Sequence, residues 1–132
     1  PQTSSHAPRG STLRRRATTR RRRVLVEHAE SVPLDCGLVF DAVVHHDFAT
    51  GRRSQYVLPA GDFTGEPVFV PRSPDAAEGD GYLISLLYRG AENRSDLAFF
   101  DAGDVAAGPF ALGKLPHRVP FGFHGNWRYG TG

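Results

Sequence analysis

The sequence predicts an all-β fold of antiparallel strands, and three observations carry that expectation. From Val24 onward, short segments rich in Val, Leu, Phe and Tyr are punctuated by Gly, Pro and Asp at intervals of about 10 to 15 residues, the rhythm of strands and turns. The connections between these segments are too short for helical crossovers, so neighbouring strands run antiparallel. No segment sustains the apolar period of an amphipathic helix. Strands of this length suit a sandwich, a barrel or a propeller, and spacing alone does not choose among them.

Taken in order, the chain opens with an Arg-rich leader. Pro1 to Arg23 holds eight Arg, no acid and almost nothing apolar to bury, which predicts a disordered stretch. The remaining residues carry eight basic against fourteen acidic side chains, a net of −6, so the overall +2 describes neither half. The domain division expected is an Arg-rich leader over 1–33 and a β region over 34–132. Strands are expected at Leu38 to His46, Ser54 to Leu58, Pro67 to Val70, Tyr82 to Tyr88, Asp96 to Asp101 and near Val119 to Phe123. Asp47 to Gly51, Asp62 to Gly65, Ser73 to Gly81, Gly90 to Asn93 and Ala102 to Gly108 read as the turns and short loops between them.

Composition narrows the function. At 132 residues the chain fits one domain by length, and nine Phe, four Tyr and one Trp furnish a modest core. Cys36 is the sole cysteine, so neither an intrachain disulfide nor a multi-Cys metal site can form, which fits a reducing cytosol. No apolar run approaches the roughly 18 residues that span a bilayer as a helix. The expected location is cytoplasmic, or peripheral to a membrane.

Six histidines are present: His6, His28, His45, His46, His117 and His124. None pair at the HExxH or His-x3-His spacing that puts two ligands on one helix face, so any metal site must draw on distant parts of a fold. His124 differs by context, lying in Val119-Pro-Phe-Gly-Phe-His-Gly125. Glycines beside a ligand allow close backbone approach, and the aromatics keep a site dry. The residues alone leave two readings open: a rigidly presented imidazole, or a buried His capping a strand end. Glu66 precedes Pro67, which holds it in extended backbone at the start of a strand. There its carboxylate can accept the Nδ1–H of a ligating His, or simply face water at a turn. Asp80 sits in the acidic glycine turn before Tyr82, which lacks the spaced oxygen donors of a calcium loop.

Together, Glu66-Pro-Val-Phe-Val-Pro-Arg72, Asp80-Gly-Tyr-Leu83 and Val119-Pro-Phe-Gly-Phe-His-Gly125 resemble, in that order, the C-terminal region of the carotenoid cleavage oxygenases, the family that includes lignostilbene dioxygenases. Phe40-Asp-Ala-Val-Val-His-His-Asp47 with Thr50-Gly51 is similar to that family's FDxxxKHD…TG hairpin, with His45 where a basic residue is usual. The resemblance covers about 90 residues. It implies the last one to two blades of a seven-bladed β-propeller whose axis carries Fe(II) on four histidines from different blades. By position, His124 matches the last iron ligand and Glu66 a carboxylate that orients a ligand, while the other three ligands lie upstream in the family. Phe121 and Phe123, and Trp127 beyond them, are candidates for lining the substrate tunnel. The implied reaction is cleavage of a conjugated double bond in an apolar polyene or stilbene, with O2, to two carbonyl products.

With one ligand of four, the 132-residue chain by itself is expected to be inactive, as a C-terminal fragment. The competing expectation is a non-catalytic β fragment whose Arg14 to Arg23 arm binds nucleic acid or an anionic surface. Against it, the tract has no interleaved aromatics for base stacking and the β region is net acidic, so no nucleic-acid partner is expected.

Overall fold

The computed structural model describes the backbone of residues 22–27 and, in full, residues 40–120, 122 and 125–130. Among them every regular element except two 3-10 turns is a strand, and every strand pairing is antiparallel, as the sequence predicts. Strands β1 (Arg22–Glu27), β2 (Ala42–Asp47) and β3 (Arg52–Val57) form one sheet in the order β1-β2-β3. Strands β4 (Phe63–Thr64), β5 (Val68–Pro71), β6 (Gly81–Arg89), β7 (Arg94–Asp101) and β8 (Ala111–Lys114) form the second, in the order β4-β6-β7-β8. β5 also pairs with β6.

β6 is the central element, and its composition explains why. Its run Gly81-Tyr-Leu-Ile-Ser-Leu-Leu-Tyr88 is apolar at almost every position, the pattern of a strand covered on both faces. Gly81, Leu83, Ser85 and Leu87 are buried, and the alternate residues are half-buried. Gly81 admits no side chain, because a Cβ there would lie 2.2 Å from the Val70 carbonyl oxygen and 2.9 Å from the Phe69 ring. Strand β6 therefore begins where β5 presses against it.

The core joins the two sheets. Val43 of β2, Leu58, Leu83 and Leu87 of β6, Ala98 and Phe100 of β7, Ala102 and Val105 form one buried cluster, with Tyr56 and Phe69 packed on it. The Tyr56 and Phe100 rings meet at 5.6 Å and 59°. The sheets are also stitched by backbone, through a bridge between Phe40 and Thr64 in which the Thr64 N–H donates to the Phe40 carbonyl at 2.8 Å.

Three expectations need correction. The Arg-rich leader is not irregular throughout: β1 carries Arg22 to Glu27 and pairs with β2 from Arg22↔Asp47 to Glu27↔Ala42. Val24-Leu-Val26 gives that segment β propensity, and β2 supplies the edge it needs. Residues 1–21 and 28–39, with His6, His28 and Cys36, lie outside those described. The strand expected near Val119 to Phe123 is not one at Val119, Pro120 and Gly122, where the backbone is irregular. Pro120, which lacks an N–H to donate, suits an irregular segment. The last strand is instead β8, and the loop expected over Asp62 to Gly65 contains the two-residue β4.

Candidate functional site

The neighbourhood of Glu66 begins with a register shift. β4 pairs with β6 as Thr64↔Leu87, whereas β5 pairs as Val68↔Ile84, so Gly65, Glu66 and Pro67 face only Ser85 and Leu86. One extra residue on one strand is a β-bulge, which bends the strand and re-aims a side chain. Pro67 belongs there because it has no N–H to contribute to the ladder. The Gly65 N–H still donates to the Leu86 carbonyl at 2.9 Å. The Gly65 carbonyl lies 2.9 Å from each of two buried hydroxyls, Thr64 Oγ1 and Ser85 Oγ, which are 2.6 Å from each other. Glu66 itself is exposed on this bulge.

The C-terminal segment is held at both ends. At its start, the Ser95 N–H donates to the His117 carbonyl at 3.3 Å, the Leu115 N–H donates to the Ser95 carbonyl at 3.0 Å, and Ser95 Oγ accepts the Val119 N–H at 2.9 Å. The Arg118 guanidinium lies 5.0 Å from the centre of the Tyr88 ring, a cation–π contact. At its far end, Gly125 lies so close to β5 that a Cβ would sit 2.6 Å from Val68 Cγ2. Further along, the Tyr129 hydroxyl donates to the Pro71 carbonyl at 3.3 Å, and Trp127 meets Tyr129 edge-on at 6.5 Å. A segment that starts against β7 thus ends along β5, beginning two residues after Glu66.

The other anticipated residues fall as follows. Phe121, Phe123 and His124 lie outside the described residues. Trp127 is 44% exposed. His45 and His46 are half-buried on β2, paired in register with Ser54 and Arg53 of β3, and His46 stacks on Phe48 at 5.6 Å. His117 is exposed and joins the segment's anchorage through its backbone only in the contacts above. Asp80 pairs with Arg72 at 2.8 Å, which also donates to the Tyr82 hydroxyl at 2.6 Å. The Asp80 hydrogen bond, with Tyr82 and the Asp80 and Asp101 carboxylates beside the guanidinium, raises the Arg72 pKa. Among the described residues no three His, Cys, Asp or Glu side chains converge as a metal cluster.

Thr64, Ser85 and Ser95, which no local motif marks, are all buried. Ser85 left a signal, being the one polar residue inside the apolar run Tyr82 to Tyr88. Thr64 and Ser95 left none, because Thr64 meets Ser85 and Ser95 meets Val119 only through the tertiary fold.

Fold and site together define an all-β, antiparallel protein whose last segment closes onto the strand that follows a carboxylate-bearing bulge. The chain belongs to the retinal pigment epithelial membrane protein family, whose model it matches over residues 10–129. It is 42% identical over 91 residues to lignostilbene-α,β-dioxygenase isozyme III of Sphingomonas paucimobilis, covering 69% of this chain and 19% of that protein. It superposes on the crystal structure of lignostilbene dioxygenase from Pseudomonas brassicacearum with a TM-score of 0.75 and 34% identity, over 83% of this chain and 24% of that one. A cobalt-substituted apocarotenoid oxygenase of Synechocystis gives 0.64 and 37%, over 67% and 19%. The chain thus spans between 10% and 19% of the length of the curated relatives it matches.

Proposed function

We propose that this chain contributes one metal ligand, His124, and one supporting carboxylate, Glu66, to a non-haem iron oxygenase. The enzyme cleaves a conjugated double bond of a stilbene, carotenoid or apocarotenoid with O2, giving two carbonyl products. The observation that carries this reading is the closure of the C-terminal segment onto β5: Gly125, next in sequence to His124, fits against Val68 only because it has no side chain. That close approach is a cradle suited to a ligand segment seated beside the Glu66 bulge. The names of the relatives, which act on lignostilbene and apocarotenoid, support the substrate class, and the cobalt-substituted relative supports a metal.

When bound, the iron supplies activation of O2. This chain's share is orientation and dryness. Glu66 receives the ligand's second ring N–H, which fixes its tautomer and direction. Phe121 and Phe123 exclude water and line the path of the polyene. The remaining ligands come from outside this span, and the fold is completed as a seven-bladed propeller of which these sheets form one to two blades. The absence of any membrane-crossing helix among the described residues, together with a single cysteine, supports a cytoplasmic location or a position against a membrane surface.

The test is iron stoichiometry and turnover of a stilbene and an apocarotenoid by the 132-residue chain. Weak iron binding and no cleavage are expected, because three imidazoles are missing. Tight one-to-one iron with turnover sinks the proposal.

A further inference from the structure

We infer that the buried hydroxyl pair of Thr64 and Ser85 is a positioning device for Glu66. Ser85 lies between Leu83 and Leu87 on the core face of β6 and is 2% exposed, while Thr64 is 3% exposed. An apolar side chain at either place would pack there without a hydroxyl to desolvate, so stability alone gives no reason for both. The bulge supplies the reason, because it leaves the Gly65 carbonyl to be satisfied by side chains. Both hydroxyl oxygens lie 2.9 Å from that carbonyl and 2.6 Å from each other.

Two protons serve those three contacts. One hydroxyl donates to the other, which donates to the carbonyl, and either assignment satisfies Gly65. With its N–H on Leu86 and its carbonyl on the pair, Gly65 is held on both sides. Its carbonyl carbon bonds to the Glu66 nitrogen in a planar peptide, and Pro67 restricts Glu66 from the other side. The carboxylate therefore projects from a Cα whose direction is set by the pair. This rests on the reading of Glu66 given above, and it adds two positioning residues to it.

The redundancy makes the test specific. Thr64→Val or Ser85→Ala leaves one hydroxyl for the Gly65 carbonyl, and the double variant leaves none. In the 132-residue chain, amide hydrogen exchange at Gly65 and Glu66 is expected to change little in either single variant and to rise about 10-fold in the double, with β6 and β7 amides unchanged. An unchanged rate at Gly65 overturns the inference. So does an equal loss of protection across β6 and β7, which would make the pair a part of core stability only.

The link to Glu66 is read as cobalt(II) affinity, with residues 40–129 of this chain grafted in place of the matching segment of the Pseudomonas brassicacearum lignostilbene dioxygenase. The double variant and Glu66→Gln are each expected to weaken cobalt binding about 10-fold, with no further loss when combined. Multiplicative losses overturn the positioning role. A graft that binds no cobalt, or is indifferent to Glu66→Gln, removes the reading of Glu66 instead, and exchange at Gly65 still decides what the pair holds.

Discussion

Asp96 is the most consequential single residue outside the candidate site. It is fully buried, and its carboxylate accepts from Arg89 Nε at 2.8 Å and from Arg94 Nε at 3.1 Å. Arg89 reaches on to Asp62 at 2.9 Å, and Asp62 in turn accepts the Gly90 N–H at 3.0 Å. Burial pulls the Arg89 pKa down, but the hydrogen bonds to Asp96 and Asp62 outweigh it and leave it raised. A raised folded pKa means that the contribution is present at every pH below the ordinary guanidinium range and is lost only on rising through the raised value. The stability difference between the native chain and Arg89→Met is therefore expected to stay constant between about pH 7 and pH 10; a decline across that window contradicts the assignment. Asp96→Ala removes the shared acceptor but leaves Arg89 on Asp62 and Arg94 on Glu92, so the expected cost is about 1–3 kcal/mol in urea unfolding. At this scale the sequence was a poor guide. Asp62, Arg89 and Asp96 are spread over many residues of a chain with sixteen basic and fourteen acidic side chains, and nothing in their spacing marks them as neighbours.

At the scale of elements, legibility followed burial. β6 and β7 carry continuous apolar runs, Tyr82 to Tyr88 and Leu97 to Phe100, because one face of each packs on the core and the other is half-buried, so both are legible to within two residues of their ends. β5 was found from its apolar content and its prolines. β8, Ala111-Leu-Gly-Lys114, has weak β propensity and owes its conformation to the register Asp96↔Lys114 through Phe99↔Ala111. The turn between β6 and β7 shows the same dependence on tertiary contact. Asn93 closes it at φ 47°, a left-handed conformation that Asn tolerates. Gly90 touches the preceding loop so closely that a Cβ would lie 2.2 Å from the Gly61 carbonyl oxygen. Gly90→Ala is expected to cost about 1–3 kcal/mol by forcing the two loops apart. Gly130→Ala, with nothing within 4 Å, is the control and should change stability by less than about 0.5 kcal/mol. Equal effects at the two positions contradict the packing account.

At the scale of the whole molecule, the two faces of the second sheet differ. One carries the core, with Leu83, Leu87, Ala98 and Phe100 almost wholly buried. The other presents Tyr82, Ile84 and Leu86 of β6 and Leu97 and Phe99 of β7, all half-buried, and Phe110 nearby is 63% exposed. A sheet with two apolar faces seeks a second layer. The 132-residue chain is accordingly expected to self-associate as its concentration rises, and Leu86→Lys to suppress this; sedimentation velocity showing a monomer throughout contradicts it. By itself the sequence determined the β class, the antiparallel connections, the family, and the candidacy of His124 and Glu66, because these rest on local periodicity, turn chemistry and short motifs. Tertiary structure alone decided that Arg22–Glu27 pairs as a strand, that Glu66 sits on a bulge backed by Thr64 and Ser85, and that Gly125 closes onto Val68. Each of these depends on which distant segments meet, and the spacing of residues along the chain carries no record of that.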